Sequence, residues 1–216
     1  MALSGPENFP VFFARHGETV YNVQDRYQGN RDDSPLTERG REQSRDLALI
    51  LRDFISTGPP PRFVCSPLGR ACATMEIVLG ELGLPRDSYT TDPHLLEIDL
   101  GEWSGREVHA VESNDRDRWL DRQRDKWNIP APGGESYSDV AARASEWFSQ
   151  LSQETVAIGH GAFGRILRGL YYGATWQQMS NMDEPHGVVY RFYQGALSCI
   201  ELEPASEPFD AKRAGP

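Results

Sequence analysis

The sequence predicts an α/β fold, a three-layer α/β/α sandwich in which helices cover both faces of a mostly parallel central sheet. Short apolar runs at Phe9–Ala14, Arg62–Cys65 and Thr155–Ile158 have the length and composition of buried strands. The segments between them carry apolar residues at helical spacing. Strands that alternate with helices favour parallel pairing through crossover helices. At 216 residues with no internal repeat, one domain spanning 1–216 is expected.

Each element has a local reason. The first strand ends in Arg15-His16-Gly17-Glu18-Thr19, so it delivers a cation and an imidazole to the end of a sheet. Open α/β sheets bind ligands outside the carboxyl ends of their strands. Gly17 is read as the place where backbone turns and approaches a ligand closely. A polar loop, Val20 to Ser34, follows. Thr37 as N-cap, with Glu38 in the first turn, starts a helix. Leu47, Ile50, Leu51 and Phe54 carry its apolar face to about Ile55, and Gly58-Pro59-Pro60-Pro61 ends it. After the second strand, Ser66-Pro67 reads as N-cap and first helical position of a helix that runs to Gly83.

A short strand is expected at Tyr89–Thr91, and a strand and loop from His94 to Gly105. Residues 106–130 are dense in charge, with Trp119 and Trp127 embedded, and read as a solvated helical insert or cap over a pocket. Ser136 and Asp139 have capping-box spacing at the start of a helix to about Leu151. The strand Thr155–Ile158 ends in Gly159-His160-Gly161, and a helix continues through Leu167 and Leu170. Val188–Phe192 and Ala196–Leu202 flank Gln194-Gly195 as a hairpin. The tail, 203–216, is expected to be loose.

Composition narrows the function. A net charge of −10 argues against a nucleic-acid or anionic membrane surface, while leaving room for a local cationic pocket. No apolar run approaches a membrane span, and the first residues lack the pattern of a secretory signal. Cys65, Cys72 and Cys199 lack metal-ligand spacing and read as free thiols of a cytoplasmic protein. No carboxylate cluster calls for a metal, and no cofactor is expected.

Arg15-His16, Arg70 and His160 all follow predicted strands. If those strands are neighbours, two guanidinium groups and two imidazoles converge on a helix N-terminus, a constellation suited to a tetrahedral phosphoryl group. The residues also resemble a known family. Arg15-His16-Gly17-Glu18-Thr19 with Asn22 is similar to the signature of the histidine phosphatase superfamily, which includes the cofactor-dependent phosphoglycerate mutases. Arg26-Tyr27-Gln28-Gly29, Pro35-Leu36-Thr37, Cys65-Ser66-Pro67-Leu68-Gly69-Arg70-Ala71, Leu95-Leu96-Glu97, Gly133-Gly134-Glu135-Ser136 and Ile158-Gly159-His160-Gly161 resemble its further blocks, in order. An ordered set is far more specific than any one block.

The resemblance implies a phosphoglycerate mutase-like fold and a set of roles. His16 would be the nucleophile and Glu97 the proton donor and acceptor. Arg15, Arg70 and His160 would hold the phosphoryl oxygens, with Asn22, Gln28, Gly29 and Gly161 lining the phosphate and substrate side. Arg26, Glu18 and Thr19 suit the loop as well as the chemistry, and His94, His109 and His186 match no motif. The expected reaction is metal-independent hydrolysis of a small phosphorylated metabolite through phosphohistidine, by a monomer or homodimer. The alternatives are a phosphoglycerate mutase and a non-catalytic or protein-phosphate regulatory module. Asp99, two residues after Glu97, has the wrong sign for gripping a substrate carboxylate. Arg116, Arg118, Arg122 and Arg124 in the insert weigh the other way.

Overall fold

The structure, a computed structural model, describes residues 3, 6, 8–55 and 59–202. The expected loose tail, Gly58, and most of the stretch before Asn8 lie outside the described residues. The elements are β1 (Val11–Arg15), α1 (Val20–Val23), α2 (Glu38–Phe54), β2 (Arg62–Cys65), α3 (Gly69–Glu81) and β3 (Thr90–Thr91). They continue with α4 (Val108–Asn114), α5 (Arg116–Arg124), α6 (Tyr137–Ser149), β4 (Thr155–Gly159), α7 (Gly161–Tyr172), α8 (Trp176–Ser180), β5 (Val189–Tyr193) and β6 (Ala196–Ile200).

The described strands form one sheet in the order β3-β2-β4-β1-β5-β6. β3, β2, β4 and β1 run parallel, while β5 and β6 close one side antiparallel. Alternation along each parallel strand divides the core in two. Phe12, Ala14, Phe63, Cys65, Val156 and Ile158 pack on α2 and α3 through Leu47, Leu51, Met75 and Val78. Val11, Phe13, Val64 and Ala157 pack on α6 and α7 through Val140, Trp147, Phe148, Phe163 and Ile166. Both faces are dry, which is why these strands read as continuous apolar runs.

Register positions the site. Arg15 stands opposite Gly159, and Cys65 opposite Ile158, so the carboxyl ends of β1, β4 and β2 lie side by side. Gly17 serves a different approach from the one expected. A Cβ there would sit 2.1 Å from the carbonyl oxygen of Gly40, and one on Gly40 would sit 2.0 Å from that of Glu18. The glycines let the β1–α1 turn cross the start of α2 backbone to backbone, rather than admit a ligand.

Three local expectations are corrected. The helix after β2 is capped neither by Ser66 nor begun by Pro67. Leu68 is the N-cap without a side-chain bond, and the Asp33 carboxylate from a distant loop accepts the Arg70 N–H instead, at 3.3 Å. His94–Gly105 holds no strand; it forms two short 3-10 turns, Pro93–Leu95 and Gly101–Trp103, because Arg143 grips the carbonyls of His94, Leu96 and Glu97. The insert is not wholly solvated: Arg122 is buried and Trp119 packs on the core. Two short helices fall where the sequence patterning predicts loop, α1 and α8, each started by a capping box, Thr19–Asn22 and Thr175–Gln178. The hairpin turn has positive φ at Gln194 and Gly195, matching the twist of its strands. Among the described residues no helix is long and apolar enough to cross a membrane.

Candidate active site

A cavity of about 270 Å³ opens at the carboxyl ends of the parallel strands. Arg15, His16, Asn22, Gln28, Gly29, Arg70 and Glu97 line it, with Arg26, Tyr27, Arg122, Lys126, Tyr137, Arg165 and Glu184. Segments separated by most of the chain length therefore meet in one cup, rich in cations although the chain is acidic.

His16 is buried and its ring is fixed at both nitrogens. Nδ1 lies 2.7 Å from the carbonyl oxygen of Gly17, which can only accept, so Nδ1 carries the proton. Nε2 then keeps a lone pair, and Arg70 Nε donates to it at 3.2 Å. Burial, then His160, Arg70 and Arg15 in that order, hold the His16 pKa well below that of a free imidazole. The ring is thus neutral at physiological pH with its unprotonated nitrogen toward the arginine.

Arg70 is held as tightly as it holds. Nη1 donates to the Asp32 carbonyl and to Asp33 Oδ1, both at 3.0 Å, and Nη2 to the Gly29 carbonyl at 2.7 Å. Gly29 has φ +61°, and a Cβ there would press on Leu100 N and Ile98 O. Arg15 donates to the Glu184 carbonyl, and burial lowers its pKa. Asn22 spends its carbonyl oxygen on the Thr19 capping box, leaving its amide N–H groups as the donors available to a ligand. Gln28 donates to Thr19 Oγ1 at 2.8 Å, and its Oε1 is buried without a partner.

Glu97 sits at the N-terminus of α7. Its Oε1 accepts from Ile98 N at 2.9 Å and Phe163 N at 3.1 Å, and Oε2 from Ala162 N at 3.1 Å. Oε2 therefore has the freer lone pairs, the place for a transferable proton. The loop bearing Glu97 is fixed by Arg143, which also pairs with Glu135 at 3.1 Å.

His160 and Gly161 do not line this cavity. They border a small adjoining cleft shared with Arg15 and Glu184. The His160 ring stands 5.2 Å from that of His16, and both its nitrogens are buried without a hydrogen bond. Burial, then Arg70, Arg15 and Arg143, keep it neutral.

Several neighbours escaped sequence reasoning. His186 donates from Nδ1 to the His16 carbonyl at 2.7 Å, and its ring lies 5.7 Å from that of His16. It is therefore not incidental, whereas His94 pairs with Asp92 and Glu146 away from the cavity. Glu184 stands between Arg165, at 2.5 Å, and Arg15, at 3.9 Å. No motif points to either residue, since their role depends on a fold-back across the sheet. Arg26 pairs with Glu107 at 3.1 Å, and Glu18 accepts from Thr37 Oγ1 at 2.8 Å, so both brace loops.

The neutral histidines make a prediction about stability. Unfolded, the rings of His16, His160 and His186 protonate near pH 6.5; folded, they do so well below it, His186 at about 4. The unfolded chain binds more protons in between, so stability is complete above pH 6.5 and lost as pH falls below it. Each ring therefore withdraws stability as the pH falls from 7.5 to 5.5, so the urea midpoint should fall over that interval. His186→Gln should lose less than wild type over that interval; an equal loss would show that His186 titrates normally in the fold.

Comparisons with known proteins agree with this geometry. Residues 11–199 match the family described as the Histidine phosphatase superfamily (branch 1). The chain is 31% identical over 194 residues to a 2,3-bisphosphoglycerate-dependent phosphoglycerate mutase of Methylorubrum extorquens (strain PA1), covering 84% of this chain and 88% of that protein. It resembles the solved mycobacterial glucosyl-3-phosphoglycerate phosphatase at 26% identity and TM-score 0.70, covering 85% of this chain and 92% of that one. The fold is shared with the α-ribazole phosphatase of Shigella flexneri at 24% identity and TM-score 0.75, over 90% and 96% of the two chains.

Proposed function

Because this chain belongs to the histidine phosphatase superfamily, branch 1, we propose that it hydrolyses small phosphomonoesters through a phosphohistidine on His16. The observation that carries the reading is the neutral His16 ring, its Nδ1 proton pinned on Gly17 and its Nε2 lone pair at a cation-lined cavity. In-line attack by Nε2 on phosphorus forms the N–P bond as the ester oxygen leaves. Glu97 gives that oxygen a proton. Water then attacks the phosphohistidine, Glu97 takes its proton, phosphate departs, and His16 returns to the neutral state.

Arg15 and Arg70 supply the positive charge that phosphoryl transfer needs, with the Asn22 amide as a further donor and the His160 ring packed 5.2 Å from that of His16 behind it. These fixed groups do electrostatic work often given to a metal, so the reading takes none. The substrate is a small phosphorylated metabolite, consistent with a cavity of about 270 Å³. The reading places the enzyme in the cytoplasm, as a monomer or homodimer without nucleic-acid or membrane partners. The α4–α5 segment then acts as the cap that selects substrate.

Glu97→Gln separates the acid from the rest. For an alkyl phosphate, whose leaving alkoxide must be protonated, kcat/KM should fall by about 10³-fold. For 4-nitrophenyl phosphate, whose phenolate leaves without help, phosphorylation of the enzyme should fall far less. Equal losses with both esters would remove Glu97 from the acid role.

The mutase reading keeps specific support in several relatives that are named phosphoglycerate mutases, at 28–34% identity. Asp99 does not weigh against it, since its carboxylate binds Arg31 at 2.8 Å and does not line the cavity. Hydrolysis is favoured because Arg118 and Arg124 of the insert are spent on Asp115, Glu102 and Asp121 and Arg116 does not line the cavity, so that Arg122 is the one arginine of these four that reaches it. Release of inorganic phosphate from monoesters supports the hydrolase. Primer-dependent exchange between 3- and 2-phosphoglycerate supports the mutase, and no turnover of any ester supports a non-catalytic module.

A further inference from the structure

All three cysteines, Cys65, Cys72 and Cys199, are free thiols. Cys65 ends β2, and Cys72 lies in the first turn of α3. Their Sγ atoms stand 3.8 Å apart, with the Cys65 S–H donating to Cys72. Cys199 lies exposed on β6. Three strands separate β6 from β2, so it is about 19 Å from the pair across the sheet. Within one chain, Cys65 and Cys72 are therefore the sulfurs that can join.

The two thiols are unequal. Cys65 is buried, and its donated hydrogen bond, then its burial, raise its pKa. Cys72 is half-buried, open to a small molecule, and the bond from Cys65 lowers its pKa. A thiolate is the nucleophilic form, and one beside a second thiol is placed for oxidation to a disulfide. Neither sulfur lines the catalytic cavity, yet both sit on the mount of Arg70, which donates to His16 Nε2 at 3.2 Å. Cys65 is fixed: its carbonyl accepts from Asp92 N at 2.9 Å, and Ser66 N donates to the Ile158 carbonyl at 3.0 Å. The start of α3 is held less firmly, since its N-cap makes no side-chain bond and Asp33 accepts from Arg70 N at 3.3 Å. Closing the sulfurs from 3.8 Å to about 2.05 Å therefore draws the Cys72 turn, and Arg70 with it, toward the end of β2.

We propose that Cys72 and Cys65 form an oxidation site that takes a hydroperoxide and closes to a disulfide, displacing Arg70 and slowing the enzyme reversibly. The Cys72 thiolate attacks one peroxide oxygen: the S–O bond forms, the O–O bond breaks, and hydroxide leaves. The Cys65 sulfur then attacks the Cys72 sulfenic acid: the S–S bond forms, the S–O bond breaks, and the hydroxyl departs with the Cys65 proton as water. In sum two thiols give up two electrons and two protons, and hydrogen peroxide becomes two waters. The effect on turnover rests on the phosphohistidine reading; the oxidation itself does not.

The test treats reduced wild type, Cys72→Ser and Cys199→Ser with hydrogen peroxide, caps the remaining thiols with N-ethylmaleimide, and digests with trypsin. Trypsin cuts after Arg70, so a disulfide leaves peptides 63–70 and 71–86 joined and lighter by two hydrogens. Wild type and Cys199→Ser should give the joined pair, and Cys72→Ser should not. In the first two proteins, kcat/KM for 4-nitrophenyl phosphate and affinity for orthovanadate should each fall by about tenfold or more, and dithiothreitol should restore both. Cys72→Ser should match reduced wild type in both measurements and keep them through the peroxide. Cys72 recovered as its maleimide adduct or as sulfinic acid with no joined pair, a joined pair with both measurements unmoved, or an equal loss in Cys72→Ser would each overturn the site while leaving the hydrolase standing. A joined pair with weakened vanadate binding, in a protein that hydrolyses no ester even when reduced, would overturn the hydrolase and support the oxidation site.

Discussion

His16→Ala is expected to abolish turnover, lowering kcat by at least about 10⁴-fold, as removal of a nucleophile from an interdependent set does. The remaining cations still bind a phosphoryl group, so KM should change little by comparison. Rapid quenching of wild type with labelled substrate should trap a phosphoenzyme that survives alkali and hydrolyses in acid, the behaviour of an N–P bond. The variant should trap none. His16→Gln guards against a folding artefact, because its amide can keep one of the bonds to Gly17 and Arg70. Its activity should be equally lost while its unfolding transition stays near that of wild type. A His16→Ala enzyme retaining a tenth of its activity would move the nucleophile elsewhere.

Arg70→Met is expected to damage fold and chemistry together. The guanidinium donates to His16 Nε2, to two backbone carbonyls and to Asp33. Its side chain is 1% exposed, but that of Asp33 is 36% exposed and can recover water when the pair is broken. The loss therefore falls at the low end of the range for a broken buried pair, about 3 kcal/mol in urea unfolding. Activity should fall by about 10³-fold, since a main phosphoryl-oxygen donor goes and the His16 ring loses its partner. Arg70→Lys restores charge but cannot span four acceptors, so it should recover part of the stability and little of the rate. A variant within 1 kcal/mol of wild type would mean that the network holds nothing in place.

Much of the architecture is legible because its cause is local. The β1, β2 and β4 runs lie within a residue or two of their predicted bounds, since strands dry on both faces must be apolar throughout. α2 and α6 start where Thr37 and Ser136 can cap them. The loop from His94 to Gly105 resisted reading because its shape is imposed by Arg143, nearly fifty residues away in sequence. The cap of α3 resisted for the same reason, its acceptor being Asp33 rather than Ser66.

Alone, the sequence determined which strands are buried, where most helices begin, and that Arg15, His16, Arg70 and His160 stand at the ends or junctions of elements. Hydrophobic period, caps and short motifs are properties of neighbours along the chain, so they can be read there. Tertiary structure alone decided that Arg15 faces Gly159, that His186 ties the His16 backbone, and that Arg122 is buried at the cavity. Those facts depend on register and on distant segments folding back, and on which charges water can still reach once they have done so. Burial is what turns an ordinary arginine in a charged stretch into part of a cavity wall.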